Sequence, residues 1–394
     1  MFDRQETVRV VQGLLDHLDN GTNVDAGVQL KNPVTAYSCP DIAAREWQTF
    51  FQDYPHVLGL ASDLPEPGSF ITNTDLGKPI LATRDREGQF HAFLNVCRHR
   101  GTVVENDPRG KKNLFSCPFH AWGYSNAGEL VAVPKEDQFG FVDRSCNGLV
   151  ELSAQEKHGL LWVHPDPQGT LNLDSALGEL GQELQSWDLD RYAYHGETSF
   201  EHAMNWKLAI DTFGETYHFN TLHRDTLAHD FYGNVQMYDR FERNHRMMLC
   251  LKNIDNLREQ QPDDWNVLLA ALPVYYLFPN IQLIIGYNGP TLVRVYPDAD
   301  NPNHSRSRIS FYLDPTVTEM QGRNRDIDPL DIAQRMHGFA DVIRDEDYVA
   351  AASSHIGAQS GAIDYVTFGR NEPALHHYHN TYRAALGMSP LEPV

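Results

Sequence analysis

Two short stretches of this chain hold residues that could do chemistry. In "CRHRGTVVENDPRGKKNLFSCPFH", residues 97–120, one residue separates Cys97 from His99 and two separate Cys117 from His120. In "DTFGETYHFNTLH", residues 211–223, Asp211, Glu215, His218 and His223 follow one another closely. The first set offers two soft thiolates and two imidazoles. The second offers two imidazoles and nearby carboxylates.

The mixed Cys–His pairs decide between two metals. A structural zinc site favours paired Cys or paired His at its own spacings. A Rieske [2Fe–2S] cluster needs two Cys on one iron and two His on the other, and two loops that each give one of both supply that. Cys97 and Cys117 are assigned to one iron, His99 and His120 to the other, with both imidazoles toward solvent. Gly101 and Pro118 suit tight turns, where backbone N–H groups can bond the sulfurs.

The second stretch reads as part of a mononuclear iron site. Two His and a carboxylate from elsewhere make a facial triad for Fe(II), leaving positions open for O2. Asp211, Glu215 and His218 stand at i, i+4 and i+7 and would share one face of a helix, with Glu215 and Asp211 as the candidate catalytic acids. His223 lies about 140° further round a regular helix. The helix must therefore end or bulge near Phe219–Leu222.

These loops need elements to hold them. The 394 residues, 41% hydrophobic and 22% charged, suffice for two or three domains. Residues 6–18 and Pro40–Phe51 have helical texture. KPILATRD, QFHAFLNVC, NLFSCP and GLLWVH read as strands of a small antiparallel domain, and HPDPQG at 164–169 punctuates the chain. Then YYLFPNIQLIIGY, TLVRVYP and SRISFYL read as strands of a larger sheet, framed by helices near Trp206–Phe219 and Ile332–Ser354. The expected class is α+β. The expected divisions are N-terminal helices over 1–45, a cluster domain over 46–165 and a catalytic domain over 166–394.

The net charge of −21 argues against nucleic acid and anionic membrane surfaces as partners. No stretch approaches a membrane span, and the start lacks a signal-peptide pattern, so a cytoplasmic location is expected. Five Cys are too few and too scattered for a disulfide framework. Cys39, Cys146 and Cys250 are expected to pack as small hydrophobes.

With both motifs in hand, the sequence resembles the α subunit of the Rieske non-haem iron (ring-hydroxylating) oxygenases. "NVCRHRG", "CPFHAWGY", "GLLWV", "NWKLAIDTFGETYH", "YLFPN" and "GRNEPALHHYH" stand in that family's order over nearly the whole chain. The resemblance implies a Rieske domain followed by a helix-grip catalytic domain. It implies a [2Fe–2S] cluster plus mononuclear Fe(II), and electrons from an NAD(P)H-dependent reductase or ferredoxin. O2 would be used to hydroxylate or oxidatively demethylate a small organic substrate, aromatic in the first reading and a quaternary amine in the second. It also implies a head-to-tail homotrimer, in which an acid at Glu215 links His120 of one chain to His218 of the next. The third iron ligand falls in "VIRDEDYVAAA" at Asp347, with Asp345 and Glu346 as competitors.

Some positions depart from the family pattern. Glu215 replaces a common Asp, Thr212 a common Asn, and Phe119 and Ala121 a frequent Tyr and Gly. The methyl of Ala121 is awkward if that residue needs a positive φ. Arg109–Lys112, with Arg98 and Arg100, is either a solvated turn or a docking patch for an acidic electron donor. His376, His377 and His379 read as structural. Tyr275, Tyr276 and Phe278 read as core, and they or Phe213 and Phe219 could line a substrate cavity. Two rivals from other classes remain. A Rieske-type carrier or redox sensor would not need the second motif, and a zinc-stapled binding protein would be colourless.

Overall fold

A computed structural model of the chain describes residues 2–316 and 338–394. The chain forms two compact units, Gln48–Leu173 and Met1–Trp47 with Asp174–Val394. Among the described residues no helix is long and apolar enough to cross a membrane.

The smaller unit is antiparallel throughout. Five strands run in the order Glu151–Leu152, Phe90–Leu94, Ile80–Arg84, Ser69–Asn73, Arg109–Lys111. Ala154–Lys157, Leu160–Val163 and His56–Leu60 form a second sheet. Phe115–Ser116, Gly123–Tyr124 and Leu130–Ala132 form a third. Cys97 and Cys117 are buried in a core with Phe70, Leu81, Phe93, Phe115, Trp122 and Tyr124. Apolar packing thus fixes the ends of both Cys–His loops.

The larger unit is built on a seven-stranded antiparallel sheet. Its order is Ala193–His202, Ser305–Leu313, Gly289–Pro297, Ile281–Gly286, Ala271–Leu277, Asn244–Leu251, Phe231–Phe241. The inner strands are buried on both faces, which is why their sequences are continuous apolar runs, while Ala193–His202 alternates. YYLFPNIQLIIGY folds back on itself at Pro279 into two strands of this sheet. Register puts Val274 opposite Ile284, and Leu249 opposite Leu272. Gln282 of the sheet donates to Tyr378 of the C-terminal helix Pro373–Ala385, and Tyr276 to Tyr382.

The N-terminal helix spans Arg4–Asn20. It is capped by the Asp3 carboxylate and ended by Gly21 in the left-handed region, and it buries Val10, Val11, Leu14 and Leu15. The second expected helix is α-helical over Pro40–Glu46 and π-helical over Trp47–Gln52.

Two further helices differ from expectation. The one beginning at Trp206 stops at Asp211, and a separate short helix covers Phe219–Leu222. Gly214 sits where a Cβ would come to 2.5 Å from Leu375 and 2.9 Å from Tyr378, so a larger residue would have to displace side chains of the C-terminal helix. The Glu215 carboxylate then accepts the N–H groups of Tyr217 and His218 and starts a new turn. Asp211, Glu215 and His218 therefore do not share a helix face. The later helix is α-helical at 338–342, π-helical at Ile343–Asp347 and α-helical again over Tyr348–Gln359. The part of that expectation at 332–337 lies outside the described residues.

Candidate metal centres

The two Cys–His loops are copies of one backbone design. The Cys97 N–H donates to the Thr102 carbonyl at 2.8 Å, and the Cys117 N–H to the Trp122 carbonyl at 2.8 Å. Gly101 and Ala121, each four residues past its Cys, donate back to that Cys at 2.9 and 2.8 Å. Both have positive φ, 75° and 57°. The anticipated strain at Ala121 is therefore present.

The thiols are buried and not joined in a disulfide. Burial pushes the Cys117 thiol up in pKa, opposed by the N–H groups of Phe119 and His120 that point at its sulfur. The Tyr124 hydroxyl lies 3.3 Å from Cys97 Sγ and accepts the Arg98 N–H. The rings of His99 and His120 are 4.7 Å apart between centroids, and His99 stacks on Trp122 at 5.0 Å. His120 is exposed and His99 half-buried. Two facing thiols met by backbone donors, beside two outward imidazoles, are a donor set that suits a Rieske cluster. Tyr124 and Trp122 were not singled out from sequence, although both sit in "CPFHAWGY".

The second centre gathers residues from two distant segments. His218 and His223 flank the short helix, one at each end. Their Nε2 atoms are 3.1 Å apart, and Asp347 Oδ1 lies 3.3 Å from His218 Nε2 and 3.1 Å from His223 Nε2. The outer nitrogens are both occupied. His218 Nδ1 meets Glu215 Oε1 at 2.5 Å, and His223 Nδ1 meets Glu346 Oε2 at 2.6 Å. With each Nδ1–H given to a carboxylate, both Nε2 lone pairs converge on the Asp347 oxygen. Three acceptors so placed call for a cation, and the set fits an octahedral metal bound on one face. Among the described residues this is the one group of such side chains within metal-ligating reach of one another.

Charge follows the same geometry. Burial works against a cationic His218, but Asp347 and Glu215 outweigh it and push its pKa up to about 9. His223 is raised too, with burial opposed by Asp347 and Glu346. Burial would raise Asp347, yet the two imidazoles hold its carboxyl below the usual range. Of the competitors, Asp345 is exposed and paired with Arg344 at 2.6 Å, while Glu346 meets the far nitrogen of His223.

Asp211 points elsewhere. It accepts from Tyr37 at 2.7 Å and from His379 Nε2 at 2.9 Å, and Asn32 donates to His379 Nδ1. His377 meets His245, and His376 bonds the backbone of Phe368 and Gly369. Arg109, Lys111 and Lys112 are paired with Asp63, Glu66, and Glu105 with Asp107. The charges of Arg109, Lys111 and Lys112 are thus met locally, while Arg98 and Arg100 of the expected patch are exposed. Cys250 is buried as expected, whereas Cys146 is exposed.

Beside the triad lies a narrow, mostly apolar cavity. Its wall includes Phe213, Phe219 and Phe231, the sheet residues Leu249, Leu272, Val274 and Ile284, and Thr212. Tyr275, Tyr276 and Phe278 are core and do not line it. A second depression shares Glu215, His218 and Asp347 and adds Asp211 and Glu372.

Comparison with known families now decides the matter. Residues 189–388, just over half of the chain, match the ring hydroxylating alpha subunit (catalytic domain) family, and residues 55–151 match the Rieske [2Fe-2S] domain. The chain belongs to the ring-hydroxylating oxygenase α subunits. Its class is oxidoreductase, and its family cofactors are a Rieske [2Fe–2S] cluster and a mononuclear iron.

Relatives of this Rieske oxygenase chain fall on both sides of the family. Choline monooxygenase of Spinacia oleracea is 23% identical over 88% of this chain and 76% of its own length. Glycine betaine monooxygenase oxygenase subunit of Chromohalobacter salexigens is 30% identical over 50% of this chain and 43% of its own. Anthranilate 1,2-dioxygenase large subunit of Acinetobacter baylyi is 30% identical over 47% and 40%. These last two alignments thus span less than half of each relative's length. In fold, the chain is similar to the quaternary ammonium Rieske monooxygenase CntA with L-carnitine. That match has a TM-score of 0.75 at 19% identity, over 92% of this chain and 97% of that one. It is also similar to a naphthalene 1,2-dioxygenase mutant with phenanthrene, at a TM-score of 0.70 and 18% identity over 93% and 94%.

Proposed function

We propose that this chain is a terminal oxygenase that hydroxylates, or demethylates through hydroxylation, a small uncharged organic molecule with an apolar ring. The wall of the cavity beside the triad carries this reading. Among its described residues the charged or titratable groups are only Glu215, His218, His223 and Asp347, all engaged at the triad. Among the described residues of the wall there is no Arg or Lys to pair a substrate carboxylate.

Mononuclear iron, when bound, supplies open positions at which O2 is activated, and the cluster supplies electrons one at a time. This chain's residues do the rest. Cys97, His99, Cys117 and His120 would hold the cluster, and His218, His223 and Asp347 the iron. The carboxylates on both Nδ1 atoms keep each imidazole in one tautomer and orientation. Phe213, Phe219 and Phe231 exclude water and press a flat substrate against the metal side of the cavity. Asp211, expected in the catalytic group, instead anchors the end of the Trp206–Asp211 helix through Tyr37 and His379.

A quaternary-amine substrate is the second reading. The presence of Phe213, Phe219 and Phe231 in the wall supports it, since aromatic rings can attract a trimethylammonium group. We further propose a cytoplasmic head-to-tail homotrimer fed by a reductase or ferredoxin. Glu215 would link His218 to His120 of the partner subunit. The exposed His120 and the acidic depression around Glu215 support that pairing.

The test is substrate-stimulated O2 uptake with a surrogate reductase, comparing uncharged aromatics with choline, glycine betaine and benzoate. Stimulation by uncharged rings is expected. Stimulation by the quaternary amines alone would replace the first reading with the second. About two irons per chain instead of about three would favour a carrier.

A further inference from the structure

Glu346 and Asp347 are consecutive, yet both reach His223 from opposite sides. Asp347 Oδ1 lies 3.1 Å from Nε2, and Glu346 Oε2 lies 2.6 Å from Nδ1. In an α-helix, neighbours diverge by about 100° and point to different surroundings. Here both belong to the π-helical turn Ile343–Asp347, and π-turns recur where a helix is locally re-aimed at a functional site. The Glu346 oxygen is itself held, since the Thr226 hydroxyl donates to it at 2.9 Å. Thr226 and His223 belong to one turn, because the Thr226 N–H donates to the His223 carbonyl at 3.0 Å. Thr226, Glu346 and His223 thus close a small polar ring behind a side chain that is itself wholly buried.

We propose that Glu346 is the positioning residue of His223. It fixes the Nδ1–H tautomer, turns the Nε2 lone pair toward Asp347 and His218, and raises the basicity of that nitrogen. Glu215 has the matching place on His218, so each imidazole is backed by its own carboxylate. The two backing acids differ in reach. Glu215 lines both depressions at the site, whereas Glu346 lines neither. The contacts described for the Glu346 carboxylate are those to His223 and Thr226. The inference rests on reading His218, His223 and Asp347 as the iron's ligands.

The test is Fe(II) affinity of the purified full-length chain, measured anaerobically by chelator competition, with the visible spectrum of the Rieske cluster as a control for folding. Glu346→Ala should weaken Fe(II) binding ~10–100-fold and leave the cluster spectrum unchanged. Glu346→Gln keeps the reach and an acceptor oxygen and should restore most of the loss. Thr226→Val should weaken binding in the parent chain but add nothing in the Glu346→Ala background. Parent-like affinity in Glu346→Ala, a Gln variant as weak as the Ala variant, or a full additive effect of Thr226→Val would each overturn the role. If Glu346→Ala does not fold, Thr226→Val with parent affinity overturns it alone. Asp347→Ala separates the two levels. If it keeps its mononuclear iron, the ligand reading falls, whereas if it loses the iron and Glu346→Ala does not weaken it, only the positioning role falls.

Discussion

Gly101 and Ala121 hold the same place in two copies of one loop, each donating its N–H to the Cys carbonyl four residues earlier and each at positive φ. Glycine takes this conformation freely, whereas alanine pays about 1–2 kcal/mol for its Cβ. Ala121→Gly should raise the stability of the cluster-bearing unit by about 1 kcal/mol. Gly101→Ala should lower it by a similar amount, since open space around that position leaves the backbone as the only obstacle. Thermal melts of both variants check this; a stabilised Gly101→Ala would show that the loops are not equivalent.

Removing one triad side chain should empty one centre and spare the other. His223→Ala and Asp347→Ala should each fall from about three irons per chain to about two, with the Rieske spectrum intact. Metal analysis with EPR reads both quantities. Loss of the cluster signal together with the mononuclear iron would contradict independent centres.

Phe219 touches both imidazoles, with its ring centroid 5.0 Å from His218 and 5.3 Å from His223, and it packs on Phe231 at 5.5 Å. Phe219→Ala should cost about 3–5 kcal/mol of stability. It should also raise KM for a small ring substrate and admit a bulkier one. A steady-state comparison of two substrates of different size is the measurement, and an unchanged preference would remove Phe219 from the specificity wall.

Lys207 and Glu46 form an ion pair at 2.6 Å with side chains only 2% and 3% exposed, and Glu46 also accepts the Trp206 indole N–H. Lys207→Met leaves a buried carboxylate unpaired and should destabilise by about 3–5 kcal/mol. Adding Glu46→Gln removes that charge while still accepting from Trp206, and should recover part of the loss. Urea titrations of both variants decide it; a double variant weaker than the single one would refute this account.

The His245–His377 pair sets an acid limit on stability. His377 Nε2–H donates to the Glu242 carbonyl at 2.8 Å, so its Nδ1 accepts from His245 Nδ1–H, also at 2.8 Å. Burial depresses both, His245 well below the ordinary value and His377 to about 4. The unfolded chain binds these protons below about pH 6.5, while the folded chain resists them. The stability the pair contributes is therefore present above that pH and is lost as pH falls toward 4. Each histidine steepens the fall by about 1.4 kcal/mol per pH unit. His377→Gln should flatten the slope of unfolding free energy between pH 6.5 and 4.5, and a slope like the parent's would discount the pair.

Much of the site is local and so was legible in the residues. Each Cys–His pair sits in one tight loop, and His218 and His223 sit five residues apart, so spacing alone carries their chemistry. The inner strands were visible as apolar runs because they are buried on both faces. Spacing also required the helix to break between the two imidazoles. It placed that break at Phe219–Leu222, whereas the helix stops earlier, at Asp211, and Gly214 passes close to Leu375 and Tyr378, far along the chain.

The sequence by itself determined which atoms are offered to metal and which short loops present them, since those facts depend on neighbours along the chain. Only the tertiary structure decided which acid of 345–347 turns inward, that Glu346 backs His223, and that Asp211 leaves the catalytic group for Tyr37 and His379. Asp347 and His223 are 124 residues apart, and a π-turn sets the acid's direction. The physical reason is that an α-helical repeat predicts a direction only while the helix stays regular. The C-terminal helix packs on Gly214 where the first helix has ended, and the π turn Ile343–Asp347 breaks the regular repeat of the second.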